Sequence, residues 1–506
     1  MKPPFYPIVY VRGYAGTQQE VEDTVATPYM GFNLGSTRIR QLWNRETQRY
    51  IFESPLIRLM KDHGYSDVYN DGDEIGDGQS VSTRSIWIYR YYESVSTEVG
   101  TGVRPEIEDY ARGLHELIEK IRDAICGPAS SLRSGVDQAR AEFKVHLVAH
   151  SMGGLVVRCY LQNIYPGEFA IAPSAAGRNT PPVDKVFTYA TPHGGIDVRL
   201  IGNVPAFLQV NNIDNFNEKR MREYLELPSG PVTSLGGNFN RDDFFCLIGT
   251  NYRDYTEARG LSSAAVGPMS DGLVQIKNAC VYRSPRAFVY RAHSGHYGIV
   301  NSEEGYQNLR RFLFGDVKIE VLLQINDISL PREVQKAREK DHEIRASYHI
   351  EAVARVRGAR WDLSRRTVGE TSAIFVPFRR IIEQRPLHLF TGYLLKSARV
   401  GRRRALGFSL DIGVLVPEYE IDKKWRLDDH YEGGYIFRDK VNFDLTLKDD
   451  APTLRYGWDS KTPNRSTRAV DAVSSADGFE FQIPVVRKQR PGIDSVLIIR
   501  SKRRPW

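Results

Sequence analysis

The sequence predicts two domains of different fold class, an α/β domain with a mostly parallel sheet followed by an all-β sandwich. Up to about residue 316, short β-branched runs alternate with longer helical segments, as in βα units. From Val317 onward, hydrophobic residues recur with period two and no convincing helix follows residue 340. The charge changes at the same point: residues 1–316 carry 33 Lys and Arg against 36 Asp and Glu, and residues 317–506 carry 36 against 26. We therefore place the domains at 1–316 and 317–506.

Six buried runs are predicted to form the strands of the first domain: 7–11, 85–92, 144–150, 185–190, 244–250 and 287–292. Helices are predicted at 54–64, 105–126, 154–164 and 302–315. The segment 105–126 is the clearest, because its apolar residues recur on one helical face. In the second domain, strands are predicted at 317–325, 346–356, 405–416, 441–447, 479–486 and 495–500.

The stretch VHLVAHSMGGLVVRCYL, residues 145–161, carries a candidate nucleophile. Ser151 ends a predicted strand, and the apolar segment after it forms a helix that we expect to stop at Pro166. Ala149 and Gly153 are small enough for strand and helix to approach closely, which would project the serine hydroxyl above the carboxyl edge of the sheet. The N–H of Met152 would then point at a developing oxyanion. The plain alternative is a small residue buried at a strand end.

A base and a group to orient it are available downstream. Asp271 follows the strand at 244–250, and His296 follows the strand at 287–292. We expect His296 to take the serine proton and Asp271 to fix its tautomer. His293 is the competing histidine; we prefer His296 for its Gly-His-x-Gly surroundings, one turn before the predicted helix start. Ser-Asp-Gly is also an ordinary turn sequence, so a turn is the alternative for Asp271.

Four motifs together resemble the serine lipases and esterases of the α/β-hydrolase superfamily, close to bacterial lipases: AHSMGG (149–154), TPHGG (191–195), SDG (270–272) and GHYGIV (295–300). The resemblance covers about residues 5–315. It implies an α/β-hydrolase fold and hydrolysis of acyl esters without a cofactor or metal, with lipids and phospholipids as the leading substrate class. In that family the first strand ends in an HG-type turn whose next residue supplies the second oxyanion N–H. Here Arg12 replaces the usual histidine, and the implied donor is the backbone of Tyr14.

Two further segments of the first domain have structural and functional interpretations. Residues 195–243 form an insertion that we expect to act as a lid or a pocket wall. The acidic stretch 70–80 fails the EF-hand spacing and is predicted to be a solvated loop. The four cysteines have no metal-ligand spacing, so we expect buried thiols.

The second domain is predicted to bind a surface or a partner. Its basic runs at 400–407, 485–490 and 500–506 are typical of solvated faces; if functional, they fit phospholipid headgroups, with Trp506 as an interfacial anchor. No nucleic-acid motif accompanies them, so we expect no nucleic acid, while a protein partner stays open.

Two enzyme alternatives use the same triad, an acyltransferase and a non-lipid esterase, and a third hypothesis is a catalytically silent binding scaffold. No segment reads as a signal peptide or a membrane span. We therefore expect synthesis in the cytoplasm, with peripheral membrane association or signal-less export as open routes.

Overall fold

The chain folds into two compact units, Met1–Arg286 with Arg291–Phe314, and Ala287–Tyr290 with Gly315–Pro505. The structure, a computed structural model, describes residues 3–13, 18–41, 45–70, 73–74, 80–127, 134–170, 180–196, 213–255, 266–383, 385–400, 404–422, 429–448, 451–476 and 478–504.

A seven-stranded sheet forms the centre of the first unit, in the order β11-β10-β9-β8-β1-β7-β4. Neighbouring strands from β4 to β10 pair in parallel. The central strands are buried on both faces, which explains their continuous apolar sequences. The strands up to residue 289 are β1 (Ile8–Val11), β2 (Ser36–Gln41), β3 (Thr47–Phe52), β4 (Ser66–Asp67), β5 (Tyr69–Asn70), β6 (Asp73–Glu74), β7 (Ser85–Tyr89), β8 (Val145–His150), β9 (Val183–Tyr189), β10 (Phe244–Gly249) and β11 (Arg286–Val289).

Amphipathic helices pack beside this sheet, with ends that follow ordinary capping chemistry. The second helix starts at Pro55 after Ser54, whose side chain accepts a hydrogen bond from the Ile57 N–H, and it ends at Gly64 in the left-handed conformation. The third begins with a capping box formed by Glu106 and Asp109. The helices are α1 (Gln18–Val25), α2 (Pro55–His63), α3 (Ile107–Cys126), α4 (Ser134–Ala141), α5 (Gly153–Cys159), α6 (Glu218–Tyr224), α7 (Glu303–Phe314) and, in the second unit, α8 (Arg332–Glu339).

The helix after Ser151 differs from its prediction at its end. It continues from α5 as a π-helix over Tyr160–Phe169 and passes through Pro166. A proline removes only its own N–H bond, and the wider π turn is closed beyond it, where the Ala170 N–H donates to the Tyr165 carbonyl at 2.8 Å. The expected stop at Pro166 is therefore wrong.

Two antiparallel sheets make up the second unit, in the orders β16-β12-β23-β22-β21 and β14-β13-β17-β18-β19-β20, with β15 beside β13. Their buried residues form one hydrophobic cluster that includes Ile319, Ile350, Leu410 and Leu497. Both parts of the predicted fold class, a parallel α/β sheet and an all-β C-terminal unit, are thus confirmed. The strands are β12 (Val317–Ser329), β13 (Glu343–Val356), β14 (Ser364–Arg366), β15 (Ile374–Pro377), β16 (Leu387–Leu394), β17 (Leu406–Asp422), β18 (Asp429–Thr446), β19 (Thr453–Trp458), β20 (Arg468–Val470), β21 (Val473–Ser475), β22 (Gly478–Arg487) and β23 (Gly492–Arg503).

The hairpin formed by β2 and β3 was not predicted. Its strands contain few apolar residues and only Ser36, Tyr50 and Phe52 are buried, so the sequence lacks the usual strand signal.

Several sequence predictions fall outside the described residues: Tyr14, residues 197–212 of the insertion, most of the acidic loop 70–80, part of the basic run 400–407, and Trp506. Two of the four thiols, Cys159 and Cys246, are buried, while Cys126 and Cys280 are half-buried. Within the described ranges, we find no helix with both the length and the apolar character needed to cross a bilayer.

Candidate active site

Ser151 lies at a sharp turn between β8 and α5. Its φ of 52° is in the left-handed region, a backbone conformation that costs an L-residue about 1–2 kcal/mol. Two backbone hydrogen bonds hold the turn: the Ser151 N–H donates to the Tyr189 carbonyl at 2.9 Å, and the Ser151 carbonyl accepts from the Gly154 N–H at 3.1 Å. Backbone strain that neighbouring hydrogen bonds hold in place is a common feature of functional sites.

Glycine is required beside this turn because the first strand passes very close to it. A Cβ on Gly153 would lie 2.4 Å from the carbonyl oxygens of both Val11 and Arg12. A Cβ on Gly13 would lie 2.6 Å from the Cβ of Ser151. The end of β1 is therefore packed directly against the serine.

Asp271 is buried, and both oxygens of its carboxylate have hydrogen-bond partners. Oδ1 accepts hydrogen bonds from the N–H groups of Leu273 at 3.0 Å and Val274 at 2.7 Å. Oδ2 faces the Nδ1 of His293 at 2.9 Å. Asp271 therefore lies in a turn, as the alternative interpretation held, and its side chain also contacts His293.

His293 joins the acid to the serine. Its Nε2 lies 2.9 Å from Ser151 Oγ, and its backbone N–H donates to the Asp271 carbonyl at 3.0 Å. All three residues are almost fully buried, with Ser151 the most accessible at 5%. With Nδ1–H donating to Asp271, Nε2 is left free to accept the serine proton.

The prediction that His296 reaches the serine is wrong. Its Nε2 accepts a hydrogen bond from the Arg38 guanidinium at 2.8 Å, and its side chain is exposed. The physical reason is the path of the loop: the Ala292 N–H pairs with the Tyr297 carbonyl at 3.0 Å, so the turn between them carries His296 away from Asp271. His293 follows β11 more directly, and this position relative to the strand end was the signal that could have identified it.

With this geometry, the parallel sheet and the serine at the carboxyl end of β8 complete the pattern of a known fold. The first unit has the α/β-hydrolase fold.

His150, the residue before the serine, is hydrogen-bonded to the backbone of His293. Its Nε2–H donates to the His293 carbonyl at 3.0 Å. Burial, with a smaller effect from His293, lowers the pKa of His150 to about 3, so the ring is neutral at ordinary pH. A neutral neighbour is favourable here because it does not repel a positive charge on His293. His193 is fully buried, and its Nε2 lies 3.1 Å from the Thr188 hydroxyl.

Two tyrosines fix the backbone that leads to the predicted oxyanion donor. The Tyr92 hydroxyl donates to the Gly13 carbonyl at 2.9 Å, and the Tyr91 hydroxyl donates to the Arg12 carbonyl at 2.8 Å. Met152, the other predicted donor, is the N-cap residue of α5, where amides have no acceptor within the helix. Within the described part of the chain, no cluster of three or more His, Cys, Asp or Glu is placed to hold a metal ion.

Comparisons with known proteins find no matching family model and no matching curated protein. Among solved structures, the phospholipase PlaB from Legionella pneumophila is 12% identical, with a TM-score of 0.31 over 84% of this chain and 90% of that chain. The Bacillus licheniformis lipase BlEst2, in its propeptide form, is 11% identical, with a TM-score of 0.32 over 88% and 95%. The lin2722 gene product of Listeria innocua is 14% identical, with a TM-score of 0.26 over 61% and 93%.

Proposed function

We propose that the chain is a serine hydrolase that cleaves acyl ester bonds through Ser151, His293 and Asp271. The observation that carries this proposal is the continuous pair of 2.9 Å contacts from Asp271 Oδ2 to His293 Nδ1 and from His293 Nε2 to Ser151 Oγ. A serine hydroxyl becomes an effective nucleophile only when a base can take its proton, and this arrangement supplies the base and its orienting group.

In the acylation step, Ser151 Oγ attacks the ester carbonyl while its proton moves to His293 Nε2. The imidazolium is stabilised by the Asp271 carboxylate, which keeps its position because Leu273 and Val274 donate to its other oxygen. Collapse of the tetrahedral intermediate releases the alcohol, which receives the proton from Nε2. Water activated by His293 then hydrolyses the acyl-enzyme and regenerates the serine.

The oxyanion of the intermediate is stabilised by the backbone N–H groups of Met152 and Tyr14. Support for Met152 comes from its place at the start of α5, where the helix dipole also favours negative charge. Support for Tyr14 comes from the residue before it, since Gly13 packs against Ser151 and its carbonyl is held by Tyr92. Each such donor contributes roughly 10²–10³-fold to kcat in enzymes of this mechanism.

Lipids, including phospholipids, are the proposed substrate class. The support is the resemblance of AHSMGG and TPHGG to lipase motifs, together with the insertion at 195–243, which we propose as a lid or pocket wall.

The test compares wild type with Ser151→Ala on a soluble p-nitrophenyl ester and on phospholipid vesicles, with products identified by mass spectrometry. We expect release of nitrophenol and of free fatty acid by wild type and not by the variant. Ser294→Ala, a serine in the histidine loop, is the matched control and should retain activity. Soluble-ester cleavage without change in the lipids would indicate a non-lipid esterase, and acyl transfer to an added alcohol would indicate an acyltransferase. Folded wild type that cleaves neither substrate would favour the binding scaffold.

A further inference from the structure

The hairpin of β2 and β3 has two faces of different character. Side chains alternate along each strand, so residues paired across the hairpin share a face. The inner face carries Ser36, Arg38, Arg40, Tyr50 and Phe52, and the outer face carries Thr37, Ile39, Gln41, Thr47, Arg49 and Ile51. Residues 42–44, which join the strands, lie outside the described residues.

The inner face is fixed to the loop that carries His293. Ser36 Oγ donates to the His296 carbonyl at 2.8 Å, and Arg38 donates to the His296 ring. Arg40 makes two hydrogen bonds to Asp254, at 2.9 and 2.8 Å. The guanidinium of Arg40 also lies over the Tyr297 ring, 4.4 Å from its centroid. The hairpin is therefore held next to the catalytic histidine by several independent contacts.

The outer face exposes large apolar side chains. Ile39 is 61% exposed and Ile51 is 60% exposed. They are diagonal neighbours, because Ile51 pairs with Thr37 and Ile39 pairs with Arg49. Single exposed apolar residues are ordinary, but a group on one face of a short hairpin indicates a contact surface.

Two cations lie on or beside the outer face, Arg49 on β3 and Arg45 two residues before that strand. The other two arginines of residues 36–52, Arg38 and Arg40, are on the inner face and contact His296 and Asp254. Neither Arg45 nor Arg49 forms an ion pair with any residue that the structure describes. Arg49 lies directly across from Ile39 on the hairpin. The aliphatic part of the Arg49 side chain can therefore pack on an apolar surface together with Ile39, while the guanidinium binds an anion.

We propose that the outer face of the β2–β3 hairpin docks on an anionic phospholipid surface and thereby presents the Ser151 site to lipid. This inference rests on the proposed function and extends it to the surface where the substrate is met. Each apolar side chain that inserts into a bilayer, and each cation that pairs with a lipid headgroup, strengthens the binding of a protein to a membrane. The two apolar side chains Ile39 and Ile51 fall well short of the roughly 800 Å² that each partner buries in a standard protein interface. The size and the charge of this face therefore fit a bilayer better than a protein.

The binding test uses the Ser151→Ala protein, so that vesicles stay intact, and measures co-sedimentation with vesicles of equal phosphatidylglycerol and phosphatidylcholine. In that background, Ile39→Ser with Ile51→Ser should weaken binding by about tenfold, because two inserted apolar side chains are lost. Arg45→Gln with Arg49→Gln should weaken it by about fivefold for each arginine removed. Val473→Ser and Arg241→Gln, exposed residues elsewhere in the chain, are the matched controls and should bind as the parent does.

The same hairpin variants with Ser151 intact separate this inference from the proposed function. We expect them to cleave a soluble p-nitrophenyl ester at the wild-type rate and to lose activity on anionic vesicles. Vesicle binding that is unchanged in both double variants would overturn the docking inference. If instead the hairpin variants abolish a dimer seen by light scattering, the face belongs to a second copy of the chain and the lipid assignment is wrong. A failure of the proposed function itself would appear differently, because the wild-type protein would then cleave no soluble ester.

Discussion

His293 Nε2 lies 2.9 Å from Ser151 Oγ, while the Nε2 of His296, three residues later, accepts a hydrogen bond from Arg38. Two neighbouring histidines thus have separate environments, one buried against a carboxylate and one exposed beside a guanidinium. Several consequences of this arrangement can be measured.

The two histidines should respond very differently to substitution. We expect His293→Ala to lower kcat/KM for a soluble ester by at least about 10³-fold, because the serine loses its base. His296→Ala should lower it by less than about tenfold, because only the contact to Arg38 is lost. Steady-state kinetics on both purified variants measures this difference. A larger loss in His296→Ala than in His293→Ala would contradict the assignment.

Asp271→Asn should reduce kcat by about 10⁴-fold with the fold intact. The amide oxygen can still accept from Leu273 and Val274, which leaves the NH₂ group facing His293 Nδ1 and forces the ring into the wrong tautomer. Kinetics and circular dichroism together test this point. Asp243→Asn, at the residue just before β10, is the control and should keep its activity; a fully active Asp271→Asn would exclude the proposed role.

Gly153→Ala should destabilise the first unit. The added Cβ would lie 2.4 Å from the carbonyl oxygens of Val11, the last residue of β1, and of Arg12; both are backbone atoms, so no flexible side chain can move aside. We expect a loss of about 2 kcal/mol in the free energy of unfolding, measured by urea denaturation. Gly369→Ala is the matched control, since a Cβ there meets nothing within 4 Å. Equal stability of the two variants would show that β1 does not pack against the turn as described.

Acid should weaken the fold partly through His150. Burial lowers the pKa of His150 to about 3, whereas the unfolded chain binds this proton near pH 6.5. The folded state therefore loses stability as the pH falls below 6.5, by about 2 kcal/mol between pH 7 and pH 5 for this group. His150→Gln cannot titrate, and its amide N–H can replace the Nε2–H that donates to the His293 carbonyl, so its urea midpoint should fall less over the same pH range. Identical pH dependence in the two proteins would contradict the neutral state of His150 in the folded protein.

The sequence predicted the elements whose local signals agree with their environment. Apolar runs such as 145–150 are buried on both faces, so composition and fold coincide there. The turn at Ser151 was predictable because only small residues fit on either side of it. Asp271 was found because its place after β10 agreed with the chain order of a triad.

The remaining features depend on tertiary contacts that leave little local signal. His296 has the more family-like surroundings, but the pairing of Ala292 with Tyr297 decides which histidine faces the serine. The sequence of the β2–β3 hairpin is mostly polar because much of its inner face is stabilised by an ion pair and hydrogen bonds, with only Tyr50 and Phe52 as buried apolar residues. The helix passes Pro166 because a π turn, not an α turn, forms there.

The most direct test of the central claim is reaction with a fluorophosphonate probe, followed by peptide mapping of the adduct. We expect one adduct on Ser151 in wild type, none in Ser151→Ala, much slower labelling in His293→Ala and normal labelling in His296→Ala. An adduct on another residue, or no adduct on a folded wild-type protein, would contradict the assignment of Ser151 as an activated nucleophile.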